Sequence, residues 1–336
     1  MKPHGSDLPY TSLAPGGEFD RIRAILGEGR AQSASGGGDV LTVGPGDDAA
    51  VLGEFVLSTD LTVEDVHFRR GWIGLEALGH RAVTAALSDV GAMGARPVAI
   101  LWSLVLPEIG MDAVRALGEG VRRAASSAGA VLAGGDLSRS PGPLAMDVVA
   151  VGRTGDPVLR STAVPGDDVW VTGVLGGAAG AVAAWESGQD PSEALRESFE
   201  RPAPPLELLR ELRTEGRVTA GIDVSDGLLA DAGHLAAASS VGIHIHESRV
   251  PVHPGLTGLP PDRRLELALT GGEDYQLLFT TPPGTRPALE ARAQGSVRLT
   301  RIGEVVRGTG VVRVASDGSG IAAEGGGFDH FGPEPT

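Results

Sequence analysis

The chain has 336 residues, a formal net charge of −15 and no cysteine. The negative charge argues against nucleic acid and anionic membrane surfaces as partners, and the lack of cysteine excludes disulfides, thiolate catalysis and cysteine zinc sites. The length is sufficient for two domains that each have a hydrophobic core.

The N-terminal part begins with a polar stretch, residues 1–17, that is rich in proline and glycine. It lacks the apolar core of a secretory signal, so we predict a flexible arm. Apolar residues at helical spacing then predict a helix over 18–28. The pattern up to residue 153 predicts strands over 41–43, 49–52 and 55–58, a helix over 74–93, a strand over 97–106, a helix over 111–128, and strands over 130–133 and 144–152.

The pattern restarts after residue 153, which divides the chain into predicted domains at 18–153 and 154–336. The second part predicts helices over 176–185, 193–199, 205–214, 227–239 and 285–293, and strands over 168–172, 222–224, 243–246, 265–269, 276–280, 297–306 and 310–314. Helices and strands alternate, but many strands are adjacent, so the fold class is α/β or α+β with mixed sheets flanked by helices. The longest apolar run, 173–185, is too short and too rich in glycine to span a bilayer, and we expect a cytoplasmic protein.

Oxygen-bearing side chains recur in short motifs along the chain. Carboxylates accompanied by hydroxyls suit hard cations, above all Mg²⁺ bound together with substrate phosphates. Lys2 is the only lysine, so a catalytic lysine in the ordered body is excluded, and bound metal is the natural replacement. The residues themselves therefore indicate Mg²⁺-dependent phosphoryl transfer. The motifs concerned are Gly46–Leu52, Ser58–Asp60, Ser88–Ala95, Gly134–Asp136 and Asp223–Gly227.

Each motif also has a purely structural interpretation. Pro45–Asp48 recurs as Pro165–Asp168, and a Pro-Gly-Asp sequence before a strand is a common turn. Because no Ser-Thr-Asp follows the second copy, we interpret that copy as a turn. Gly134–Asp136 and 271–275 could equally be turns, 223–227 could be a helix cap, Asp89 could lie on a solvated helix face, and Arg160 could be a surface residue. His244 and His246 alternate on a strand without an obvious third ligand, so zinc is not expected.

Taken in order, the motifs resemble the thiamine-monophosphate kinases of the aminoimidazole ribonucleotide synthetase-like superfamily. The matching segments are GDDAAVL, STDLTVEDVHF, ALSDVGAMGA, GGD, RSTAVPGDDVWVTG, IDVSDGL, LTGGEDYQLLF and GFDHF, which together extend over nearly the whole chain from residue 18 to residue 331. The chain lacks the cysteine on which the selenophosphate synthetase and hydrogenase-maturation branches rely. The resemblance implies two α/β domains, a homodimer formed through the N-terminal domains, and a cleft between the domains that binds ATP and several Mg²⁺ ions.

The resemblance also implies roles for particular residues. Eight residues would hold Mg²⁺: Asp48, Ser58, Thr59, Asp60, Asp89, Asp136, Asp223 and Asp226. Gly135, Asp136, Arg160 and Ser225 would contact ATP, and His67, Glu273 and Phe328 would contact thiamine monophosphate. Phe328 stands where Tyr or Trp often occurs, so ring stacking is retained without a polar contact. No side chain is expected to act as a general base, because a phosphate oxygen is already anionic. The alternatives are aminoimidazole ribonucleotide synthetase activity and a non-catalytic regulator that binds Mg²⁺ and nucleotide.

Overall fold

The structure is a computed structural model, and it describes residues 21–22, 24–25, 40–293 and 295–323. The four described residues of the predicted helix over 18–28 are helical. The arm at 1–17 and Phe328 lie outside the described residues. Within the described part of the chain, no helix is long and apolar enough to cross a membrane.

The first half contains a six-stranded sheet in the order β1-β2-β3-β6-β4-β5. Neighbouring strands are antiparallel except β4 and β5, which are parallel. Two helices accompany the sheet, and the longer of them, α1, is buried along most of its length. The elements are β1 (Leu41–Val43), β2 (Ala50–Leu52), β3 (Phe55–Val63), α1 (Leu75–Ala92), β4 (Arg96–Leu106), α2 (Met111–Ser127), β5 (Val131–Arg139) and β6 (Ala145–Arg153).

The two faces of this sheet have different surroundings. Along β6, Val148 and Ala150 are buried in the core, whereas the alternate residues Asp147 and Val149 are partly exposed. Side chains alternate between faces along a strand, and directly paired residues share a face. The first face therefore lies against the helices, and we call it the inner face. The opposite face, to which Asp147 belongs, is the outer face.

The second half contains a seven-stranded sheet in the order β13-β12-β9-β11-β7-β10-β8. Its pairs are antiparallel except β9 with β12. The strands are β7 (Asp168–Thr172), β8 (Ala220–Val224), β9 (Gly242–His246), β10 (Gln276–Thr281), β11 (Leu299–Val306), β12 (Gly310–Val314) and β13 (Gly320–Ala322). The helices are α3 (Gly177–Glu186), α4 (Glu193–Glu200), α5 (Leu208–Thr214), α6 (Leu228–Ser239), α7 (Pro261–Thr270) and α8 (Arg286–Arg292).

Three sequence-based assignments were wrong in ways that matter for the site. The predicted strand over 265–269 is part of α7, because Pro261 at the first helical position starts a helix that the alternating Leu-Glu-Leu-Ala-Leu pattern conceals. The strand predicted over 55–58 continues to Val63, so Asp60 lies inside β3. Gly134–Asp136 lies within β5 rather than after it.

Candidate functional site

Three carboxylates from distant parts of the chain meet between the two sheets. Asp48 lies in the loop before β2, Asp89 near the end of α1, and Asp223 in β8. Each contributes one oxygen to a group in which all oxygens lie within 4.8 Å of one another. Asp48 and Asp223 are buried, and Asp89 is half-buried. We call this group the carboxylate trio.

Hydroxyl groups hold these carboxylates in place. Ser58, on the inner face of β3, donates to Asp89 Oδ2. Ser88 Oγ donates to Asp223 Oδ2 over 2.6 Å, and Ser225 Oγ donates to Asp223 Oδ1 over 3.3 Å. The trio is therefore supported from α1, β3 and the loop after β8.

Arg160 is the cation beside the trio, although no arginine or lysine closely follows the carboxylates in sequence. Its Nη2 lies 2.5 Å from Asp48 Oδ1, and its backbone N–H donates to the carboxylate of Asp47. The Asp48 side chain is fully buried in this pair. Arg160 is thus not a surface residue, and Asp47 is a neighbour that the motif analysis did not single out.

Burial makes the negative charge of this region costly. It raises the pKa of Asp223 to about 7 and that of Asp47 to about 7, and in both cases the nearby Asp48 raises the pKa further. Burial also raises the pKa of Asp89 well above its ordinary value, with Asp223 as the next cause. Three close carboxylates with one arginine disfavour one another's charged forms, and a bound divalent cation would favour those charged forms.

The donor set of the trio fits a hard cation. Asp48 Oδ2 is buried and has no hydrogen-bond partner. An unpaired buried carboxylate oxygen is unfavourable unless a proton or a metal satisfies it. Carboxylate and hydroxyl oxygens are also the ligands that Mg²⁺ prefers. Asp60, on the inner face of β3, is a further carboxylate of this region, and burial raises its pKa to about 6.

Thr59 and Asp136, two other predicted ligands, do not point toward the trio. Thr59 alternates with Ser58 and Asp60 on β3, so its side chain lies on the outer face, where its Oγ1 donates to Asp147 Oδ1 over 2.5 Å. Asp136 pairs in register with Ser103, which pairs with Asp147, so it shares that outer face. Alternation of side chains thus divides the predicted metal ligands between two sides of one sheet.

Asp226 belongs to a second group. One ligand atom from each of Asp226, Asp231 and His234 lies within 4.8 Å of the other two. Asp231 Oδ2 accepts from the backbone N–H groups of Asp226 and Gly227, over 3.2 and 3.0 Å. Asp231 therefore holds the turn that carries Asp226, a role that its position inside α6 did not suggest.

The predicted substrate residues lie on two different segments. Glu273 is in the loop between α7 and β10, half-buried, with its backbone N–H donating to Ser225 O over 2.7 Å. Its carboxylate forms an ion pair with Arg81 of α1 at 2.5 Å, a contact that the sequence analysis missed. His67 lies in the turn after β3, where its Nδ1 accepts from the N–H of Val63 over 3.0 Å.

The second Pro-Gly-Asp-Asp copy forms a different structure. Asp168 is buried and accepts from Arg286 and Arg301 at 2.6–2.8 Å. Asp167 Oδ2 accepts from Val164 N–H and Thr219 Oγ1. This copy is therefore more than a turn: it anchors β7 through two arginines.

Comparison with known proteins identifies relatives over most of the chain. The family described as AIR synthase related protein, N-terminal domain, matches residues 46–154, and the corresponding C-terminal domain matches residues 164–315. A thiamine-monophosphate kinase of Rhodopirellula baltica is 34% identical over 290 residues, which cover 81% of this chain and 85% of that protein.

Solved structures give the same result. The thiamine-monophosphate kinase of Stenotrophomonas maltophilia has 37% identity and a TM-score of 0.75, covering 90% of this chain and 96% of that chain. AaThiL complexed with AMPPCP and TMP has 33% identity and a TM-score of 0.79, covering 96% of this chain and 99% of that chain. With both domains matched and the fold shared, this chain belongs to the thiamine-monophosphate kinase family of AIR synthase related proteins.

Proposed function

We propose that this chain transfers the γ-phosphoryl group of ATP to thiamine monophosphate, with several Mg²⁺ ions held by its buried carboxylates. A phosphate oxygen of thiamine monophosphate attacks the γ-phosphorus, the bond to the departing ADP oxygen breaks, and thiamine diphosphate forms. The observation that carries the proposal is the meeting of Asp48, Asp89 and Asp223. A relative that shares the fold was solved with AMPPCP, an ATP analogue, and TMP, which supports the same pair of substrates here.

The chain's own residues would act by binding and orientation rather than by proton transfer. Asp48, Asp89 and Asp223 would hold Mg²⁺, with Ser58 and Asp60 beside them. When bound, Mg²⁺ would screen the repulsion between the two phosphate-bearing substrates and neutralise charge that develops on transfer. Arg160 lies at the edge of the trio, where its guanidinium could contact a nucleotide phosphate. We also propose a cytoplasmic location, because ATP is abundant there.

One assay tests this proposal. Purified protein is incubated with ATP, Mg²⁺ and thiamine monophosphate, and the products are separated by chromatography. We expect thiamine diphosphate and ADP in equal amounts, and no product after chelation of the metal. Asp60→Asn and Asp89→Asn should each lower turnover roughly a hundredfold while thermal unfolding stays cooperative. If ATP is not consumed, a nucleotide-binding regulator is favoured instead.

We further propose a homodimer formed through the outer face of the N-terminal sheet. Apolar side chains on this face are exposed by 41% at Leu101, 41% at Val105 and 57% at Leu61. Several exposed apolar side chains on one face of a sheet are typical of an interface. In such a dimer, Thr59 and Asp136 of one subunit would lie against residues of the other subunit. We therefore propose that Thr59 and Asp136 complete the other subunit's site.

Mixed dimers test this arrangement. Asp89→Asn and Asp136→Asn subunits are each expected to be inactive alone. If Asp136 serves the partner's site, unfolding and refolding them together should restore activity, because a mixed dimer contains one site with neither substitution. Lack of restoration in a mixture shown to contain mixed dimers would contradict the arrangement. Leu101→Arg should yield monomers in sedimentation analysis, and an unchanged dimer would contradict the interface.

A further inference from the structure

Arg81 is a buried arginine in the middle of α1. It is 3% exposed, and its guanidinium is contacted from several directions. Nη1 donates to Phe199 O over 2.5 Å, Nη2 lies 2.5 Å from Glu273 Oε1, and the guanidinium carbon lies 4.0 Å from the centre of the Phe199 ring. The two contacts with Phe199 thereby hold the guanidinium plane in one orientation, independently of the Glu273 carboxylate.

The backbone of Glu273 is also held by neighbouring contacts. Its φ of +68° is in the left-handed region, which a non-glycine residue adopts only when neighbouring contacts impose it. Its N–H donates to Ser225 O, and the next residue, Asp274, accepts from the N–H groups of Gly176 and Gly177 over 2.6 and 3.1 Å. With the backbone held, the remaining freedom of Glu273 lies in its side chain.

The ion pair connects the two halves of the molecule. Arg81 belongs to the helix that carries Asp89, and Glu273 belongs to the loop that leads into β10. Burying a charged pair is seldom the most stable choice, because apolar residues of similar volume pack at least as well. We therefore attribute the Arg81–Glu273 pair to the specific orientation that it gives the Glu273 carboxylate. The Glu273 side chain retains 29% exposure, so it can still contact a ligand.

We propose that Arg81 is a positioning residue that holds the Glu273 carboxylate in the orientation that receives the cationic part of the acceptor substrate. This inference rests on the proposed function and on the contact with thiamine monophosphate that the family resemblance implies for Glu273. Arg81 engages Oε1, which leaves Oε2 for the substrate.

The test is a double-mutant cycle with separate Michaelis constants for the two substrates. Arg81→Met should raise the KM for thiamine monophosphate about tenfold or more, while the KM for ATP changes by less than about twofold. In a Glu273→Gln background, Arg81→Met should change the KM for thiamine monophosphate by less than about twofold, because the group it positions is already altered. Arg81→Lys retains the charge but lacks the planar guanidinium that contacts both Phe199 O and Glu273 Oε1, so it should have an intermediate effect in the same direction.

Arg201 provides the matched control. It pairs with Glu76 of the same helix, at a site that does not contact Glu273. Arg201→Met should leave the ratio of the two KM values unchanged. Parallel changes of both KM values in Arg81→Met, or an undiminished effect in the Glu273→Gln background, would show that Arg81 is only structural. If Arg81→Met does not fold, Arg81→Lys is judged by the same criteria. A wild-type protein that forms no thiamine diphosphate would instead refute the proposed function itself.

Discussion

Asp48 has two carboxylate oxygens with different surroundings. Oδ1 lies 2.5 Å from Arg160 Nη2, whereas Oδ2 is buried without a hydrogen-bond partner. Arg160 therefore pairs with one oxygen of this carboxylate and leaves the other available to a bound cation. At the scale of single residues, a local motif acquires its chemistry from a partner 112 positions away in the chain.

The two copies of Pro-Gly-Asp-Asp provide a prediction at this scale. Asp48→Asn should lower turnover roughly a hundredfold or more, because it removes a proposed metal ligand. Asp168→Asn should leave the kinetic constants nearly unchanged but lower the free energy of unfolding by about 2 kcal/mol, since two partly exposed arginines lose their shared partner. Steady-state assays and urea unfolding of both variants measure this. Equal kinetic damage from the two changes would contradict it.

At the scale of the elements, β5 shows how a motif can be shaped by packing. Gly135 lies opposite Trp102 of β4, and a Cβ at Gly135 would lie 1.9 Å from the Trp102 carbonyl oxygen. Close approach of two parallel strands is thus sufficient to require glycine there. Gly-Gly-Asp suggested a phosphate-binding turn because the sequence does not reveal that the strand continues through it.

Gly135→Ala is therefore expected to destabilise the N-terminal sheet. The extra methyl group must push β4 and β5 apart, at a cost of about 3 kcal/mol in the free energy of unfolding. Gly142→Ala is the control, because a Cβ there has no atom within 4 Å. Urea unfolding of the two variants gives the comparison. Unchanged stability together with a raised KM for ATP would favour a direct phosphate contact at Gly135 instead.

The loop that carries Glu273 provides a pH-dependent prediction. Burial raises the pKa of Asp274 to about 7, although N–H groups at the start of α3 act in the opposite direction. The folded state then binds this proton more tightly than the unfolded state, whose aspartate has a pKa near about 3.9. The contribution of the protonated Asp274 to the free energy of unfolding is fully present below about pH 3.9. It is lost as the pH rises through about 7.

Asp274→Asn removes this titration. The stability of the variant relative to the wild type should therefore increase between pH 5 and pH 8, by at most about 1.4 kcal/mol per pH unit. Urea unfolding of both proteins at several pH values in this interval measures the difference. If the difference stays constant, the backbone N–H groups outweigh burial and hold the pKa low.

At the scale of the whole molecule, the site joins two sheets and concentrates carboxylates that the proposed mechanism assigns to metal binding rather than to proton transfer. The chain has one lysine, Lys2. His234, the histidine grouped with Asp226 and Asp231, has a pKa lowered to about 4 by burial, so it is a weak base near pH 7. Such a site suits an acceptor that is already anionic.

Free thiamine should therefore not be phosphorylated. Its alcohol has a high pKa and would need a base, whereas the phosphate of thiamine monophosphate supplies anionic oxygens that a metal can orient. The measurement is product analysis with each acceptor at the same concentration. We expect thiamine diphosphate from thiamine monophosphate and no thiamine monophosphate from thiamine. Robust phosphorylation of thiamine would overturn the proposed mechanism.

The sequence by itself determined the order of the oxygen-bearing motifs, most helices and strands, and the family, because these depend on local patterns and their order along the chain. The tertiary structure alone decided which candidate ligands meet. Ser58 and Asp60 face the trio while Thr59 faces away, since the helices cover only one face of the sheet and side chains alternate along β3. The pairing of Arg81 with Glu273 likewise depends on how α1 packs against a distant loop, which no local pattern specifies.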